Sequence, residues 1–195
     1  MDGKTIFGAL AVIGGLVGYI PYIQSIARGQ TRPHAFSWFV WTLILATAFG
    51  VQVSEGAGPG AWLTGIGSIA CAAIFMIALV RGSRAYALTD WVALAMALSA
   101  FMLWRTANDP TLAAVFVTAA DATSYVPTLR KTYFHPQQEN IRAYIIWGLA
   151  AAVSIAALRS YSIATWLYPS SAVVMNPILI TLAMRRRTTA VQTAR

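Results

Sequence analysis

The residues able to do chemistry are few in this chain, and most of them sit inside apolar runs. Asp121 is the only carboxylate deep in such a run, about ten residues into it and one turn before Tyr125. An ionisable group at membrane depth is costly enough to mark a functional position by default. Asp121 could take up a proton or touch a ligand; alternatively, Thr118, Ser124 or Tyr125 could hold it as a packing element. Asn176 precedes Pro177, which sets an amide beside a backbone carbonyl deprived of its helical donor. That pair suits a hydroxyl or amide of a ligand, or an interhelical hydrogen bond worth about 1 kcal/mol. Gln52 offers similar chemistry nearer the end of its run. Trp41 and Trp147 could stack on a flat or sugar-like ligand from two sides, or join the aromatic belt at a membrane surface together with Trp38 and Tyr144. Pro21 and Pro127 each follow a tyrosine by two residues, Tyr19 and Tyr125. They free the carbonyls of Val17 and Thr123, which makes them candidate hinges or static kinks.

Other reactive types form no constellation. His34 and His135 fall in loops without the partners of a metal or catalytic centre, and Cys71 is the single cysteine. No His/Asp cluster, Ser/His pairing or metal-ligand spacing is visible, so neither an enzyme nor a bound cofactor is expected.

The elements that position these residues follow from composition. With 58% hydrophobic and 10% charged residues, the chain lacks the charged surface of a soluble domain. A net charge of +8 could point to nucleic acid, but the basic residues stand singly between apolar runs and form no patch. Apolar windows predict helices near 5–27, 36–54, 60–80, 85–104, 111–130, 141–158 and 161–184. The first run follows Lys4 but has no small-residue cleavage site, so it reads as a retained helix and not a signal peptide.

Seven spans put Lys4, Arg105 and Arg159 on one side. The other side receives Arg28, Arg32, Arg81, Arg84, Arg130, Lys131, Arg142, Arg185, Arg186, Arg187 and Arg195. Eleven against three places the N-terminus outside and the C-terminus in the cytoplasm. The expectation is an all-α integral membrane protein of seven transmembrane helices, in a bacterial-type inner or plasma membrane. Asp90 is expected to pair with Arg84 or Arg81, Trp62, Trp91, Trp104 and Trp166 to anchor at interfaces, and Arg185–Arg187 to meet anionic lipid.

The chain also repeats. At an offset of 106, Gly18-Tyr19-Ile20-Pro21 lies over Ser124-Tyr125-Val126-Pro127, and Trp38-Phe39-Val40-Trp41 over Tyr144-Ile145-Ile146-Trp147. At 104, Ala61-Trp62-Leu63 lies over Thr165-Trp166-Leu167. Each copy is a three-helix unit. Since three is odd, the extra helix between the copies gives both the same orientation: parallel repeats in a 3+1+3 arrangement. The expected divisions are a first bundle over 1–84, linker helix four over 85–109, a second bundle over 110–184 and a basic cytoplasmic tail over 185–195. Gly14-x-x-x-Gly18 and the small residues Gly60, Gly65, Gly67, Ser68, Cys71 and Ala72 permit close helix approach, within a bundle or between copies of a homo-oligomer.

A helix ending in Tyr-x-Pro, a short basic loop and then a helix opening with aromatic residues, doubled about one linker helix, resembles the PQ-loop and SWEET superfamily over residues 5 to 184. The motif stands as Tyr19-Ile20-Pro21-Tyr22 and Tyr125-Val126-Pro127-Thr128, without the glutamine that follows the proline in the family. The resemblance implies two triple-helix bundles around a central pocket, with proline-hinged helices opening it to either side in turn. Sugar carriers of that kind pair a tryptophan with an asparagine; here Ser160 stands sixteen residues before Asn176, where the tryptophan would be. The Trp38-x-x-Trp41 element is also similar to that of PnuC-type vitamin transporters, which bind ribosides. The expected function is transport of a small polar metabolite, facilitated or coupled to protons, through a pocket of Trp41, Trp147, Asn176, Asp121, Tyr19, Tyr125 and Gln52. The alternative is a membrane receptor or ligand sensor on the same fold.

Overall fold

Hydrocarbon offers no partner to an exposed backbone amide, so apolar runs of this length close their hydrogen bonds within helices. The computed structural model describes residues 2–29, 33–82 and 88–193, the side chains of 127, 131, 138 and 189–193 excepted, and among these it is all-helical, with no strand. The helices are α1 (Gly3–Ala27), α2 (Ala35–Ser54), α3 (Trp62–Arg81), α4 (Leu88–Met102), α5 (Pro110–Phe134), α6 (Ile141–Ala156) and α7 (Ile163–Thr193). Single 3-10 turns at Gly58–Ala61 and Pro136–Gln138 lead into α3 and α6, and a π-helical turn, Leu103–Ala107, prolongs α4. Arg32, Arg84 and Arg195, counted among the basic residues, lie outside the described residues, and with them the Arg84 partner expected for Asp90.

Six of these helices are long and apolar enough to cross a membrane. The seventh, α6, has 16 residues, a rise of about 24 Å against a hydrocarbon core of about 30 Å. Local chemistry sets the ends. Asp2 caps α1 by accepting the Thr5 amide at 2.9 Å, and Asn140 caps α6 through the Ala143 amide at 3.3 Å. Asn108, at φ 50°, takes the left-handed conformation that asparagine tolerates and stops the π turn. Asp109 then accepts the Leu112 amide at 2.9 Å, with Pro110 in the first helical position. The expected boundary that moves furthest is the end of α7, which does not stop at 184 but continues to Thr193. Arg186 and Arg187 extend it by donating to the carbonyls of Tyr133, Pro136 and Glu139 in and after α5.

α3 packs against both α1 and α2, and α7 packs against both α5 and α6. α1 meets α6, α2 meets α5, and α4 lies against α2 and α5. Ala93, Ala97 and Ala100 recur at helical spacing on α4 and sink into Val40, Ile44, Ala48, Val117 and Ala120 of its neighbours. Small residues on that stripe let three backbones approach, the means of association available where apolar burial drives nothing. The outer faces are apolar: Leu10, Ile13 and Ile20 on α1 and Met76 and Val80 on α3 are all exposed, a surface suited to lipid.

Candidate functional site

A cavity of about 970 Å³ opens among the helices, large enough for a small metabolite. Its walls come from α1, α2, α3, α5, α6 and α7, with Asp90 of α4 at the rim. Tyr19, Trp41, Asp121, Tyr125, Trp147 and Asn176, six of the seven residues expected to bind substrate, line it, as does Pro21. Pro127 lies within α5, its side chain outside the described set.

The inner wall is tied together across helices. Tyr125 Oη donates to Asn176 Oδ1 at 2.8 Å, and Gly148 of α6 stands beside the Asn176 side chain, which an added Cβ would meet at an ordinary contact distance of 3.5 Å. Trp147 Nε1 donates to the Gly15 carbonyl at 3.2 Å, its ring 5.1 Å from that of Tyr19. Gly18 makes this seat possible, since a Cβ there would fall 2.4 Å from Trp147 Nε1. Trp147 is therefore a strut between α6 and α1, not only a belt residue. Trp41 packs edge-on to Trp38 at 5.2 Å, and Trp38 Nε1 donates to Tyr22 Oη at 3.2 Å.

Asp121 is buried, 5% exposed, at the middle of α5. None of Thr118, Ser124 and Tyr125 holds it. The two hydroxyls donate instead to carbonyls one turn back, Ala114 and Ala120, and Tyr125 is turned to Asn176. The partner of Asp121 is Ser171 of α7, whose Oγ lies 3.1 Å from Oδ2 and 2.8 Å from the Tyr168 carbonyl.

No protein-family model matches this chain, nor does any curated protein or solved structure.

Gln52 stands apart from the cavity. It is fully buried and its Nε2 donates to the Thr165 carbonyl at 2.9 Å. The cause is Pro169: lacking an N–H, it cannot serve the carbonyl four residues earlier, and Gln52 reaches over from α2 to do so. Expected as a ligand contact, Gln52 is in this geometry a patch on a proline-interrupted helix. Sequence reading missed Tyr168 and Ser171; at the offset of 104 Tyr168 lies over Thr64, and both line the cavity, the one available signal. His34, expected as an ordinary loop residue, precedes α2, holds Ser37 Oγ at 2.8 Å and lines the rim.

The cavity runs toward the end carrying Ser25, His34, Asn140, Arg142 and Arg187. The opposite end is fastened. Arg159 Nη2 binds Asp2 Oδ2 at 2.7 Å, and Arg159 N donates to the Ala57 carbonyl at 3.0 Å. Lys4 Nζ donates to the Ala156 carbonyl at 2.9 Å and lies 5.0 Å over the Tyr161 ring. Gly58, at φ 60°, and Gly60 let the 55–61 segment press against Arg159 and Leu158. Ala57 and Ala61 of that segment are buried together with Leu158. Hydrogen bonds from the Thr5 hydroxyl and amide, and then Arg159, hold the Asp2 carboxyl below its usual range.

Proposed function

We propose that this protein is a membrane carrier for a small polar metabolite and works by alternating access. One observation carries the reading: the cavity draws on six helices from both halves of the chain and reaches the end carrying His34, Arg142 and Arg187, while its lining takes no residue from the end where Ala57, Ala61 and Leu158 pack beside the Asp2–Arg159 pair. A channel needs continuity; a carrier needs a site open to one side at a time.

The rest follows the same reading. Helices α1–α3 form one triple-helix bundle and α5–α7 the second, with α4 and its π turn as linker. The equivalent packing of α3 on α1 and α2 and of α7 on α5 and α6 favours parallel repeats, as in the PQ-loop and SWEET superfamily that the sequence resembles. With the N-terminus outside, the cavity mouth is cytoplasmic, where most basic residues lie. Pro21 and Pro127 sit at matching positions of α1 and α5 and serve as hinges.

Reconstitution of the purified chain in liposomes tests this. Counterflow against a metabolite panel should be accelerated over protein-free vesicles for at least one solute. Saturable binding with no counterflow for any of them would overturn the carrier and leave a receptor.

A further inference from the structure

We infer that the carrier's cargo is a small organic cation, and that this cation and a proton occupy Asp121 in turn, so that transport is an exchange of one for the other. The inference rests on the carrier reading above and names its substrate class.

Among the described residues, the deep part of the cavity holds one formal charge, that of Asp121 when it is ionised. Arg142 and Arg187, the cavity's basic residues, lie at the mouth; Arg187 is sixteen residues beyond Ser171 on α7, about 24 Å of helix. Arg187 is also engaged, donating to the Pro136 and Glu139 carbonyls. No described salt bridge neutralises Asp121. A carboxylate in such surroundings cannot stay bare, so it must hold either a proton or a cation.

The hydrogen-bond geometry fits both occupants. Ser171 has one hydroxyl hydrogen and two acceptors within reach, the Tyr168 carbonyl and Asp121 Oδ2. With Asp121 protonated, its own hydrogen is donated to Ser171 Oγ, and the Ser171 hydrogen goes to Tyr168. With the proton gone, the serine hydroxyl can turn to the carboxylate, and Oδ1, which has no hydrogen-bond partner among the described residues, is left for a cation. The proton leaves to water through the open mouth, and the cation replaces it one for one.

Aromatic residues share the cavity with the acid. Tyr125 is one turn along α5, Tyr168 one turn before Ser171, and Trp41, Tyr19 and Trp147 complete the wall. Aromatic faces attract a cation with particular effect where water is excluded. From the elements packed against α5, the titratable groups facing the cavity are His34 at the head of α2, Asp90 of α4, Glu139 before α6, and Tyr168 of α7. Across it stands Cys71 of α3. Of these, His34, Asp90 and Glu139 belong to the rim, so the site in the interior titrates through Asp121.

Benzyltrimethylammonium is the probe, because its charge does not change with pH. Titrated calorimetrically into the full-length protein in detergent, it should bind about tenfold more tightly per pH unit while Asp121 is protonated and then level off. In that lower range, binding should release close to one proton, read from the buffer dependence of the enthalpy. Asp121→Asn should weaken binding at least about tenfold and abolish the pH dependence; Asp121→Glu should keep it. Both variants are checked for a monodisperse elution profile and unchanged helicity, and the wild-type pH series stands without them. Absence of binding, a pH-independent Kd, or equal binding of neutral benzyl alcohol would overturn the inference. Counterflow of a neutral metabolite without cation binding would discard the cation site and retain the carrier. Cation binding without counterflow would do the reverse.

Discussion

Trp147 and Gly18 form a pair whose fit can be measured. A methyl group at Gly18 would overlap the indole nitrogen, whereas one at Gly14 would meet Ala150 Cβ at 3.4 Å, close to ordinary contact. Gly18→Ala should therefore cost about 1–3 kcal/mol and lower the unfolding midpoint in detergent, while Gly14→Ala should change it little. Equal midpoints for the two variants would refute the strut. At this scale the sequence was partly legible. The residue types near the cavity could be picked out, because a carboxylate, an amide before proline and paired aromatics are conspicuous in apolar runs. Their partners could not: Ser171 lies fifty residues from Asp121, and Gln52 serves a carbonyl 113 residues away, through contacts that no local pattern encodes.

Among the elements, the fastening of α1 and the 55–61 segment to the 156–161 turn makes the sharpest expectation. Asp2 is held below the ordinary carboxylate range, so its contribution is complete above that range and is lost as pH falls through the lowered value. Ala57 is buried within this clasp. In a Cys71→Ala background, Ala57→Cys should resist a maleimide near neutrality and react faster, at the same pH, once Asp2→Asn loosens the clasp. Labelling that is indifferent to that substitution would mean that Asp2 and Arg159 carry no closing role. Helix existence was legible in hydropathy alone, and the ends came within a few residues for most helices. The exception is α7, whose arginines were read as a tail meeting lipid; the Tyr133 and Pro136 carbonyls that receive them belong to elements far back in the chain.

For the whole molecule, the orientation is the claim to test. In the Cys71→Ala background, Ser54→Cys should react with an impermeant maleimide on intact cells, and His135→Cys only after permeabilisation; the reverse pattern would invert the topology. Hydropathy made the number of helices readable. The cavity was not readable, since an apolar helix does not declare which face it turns inward. One consequence belongs to the Trp147 seat. At the offset of 106 Gly15, whose carbonyl Trp147 grips, is the counterpart of Asp121. Two identical halves would bring two acids or none, whereas these unequal halves bring one. On the proposed exchange, a single acid, neutralised in every occupied state by one proton or one monovalent cation, would carry no net charge across the bilayer. Membrane voltage then has nothing to pull on, and the exchange would run on the pH difference and the cation gradient alone.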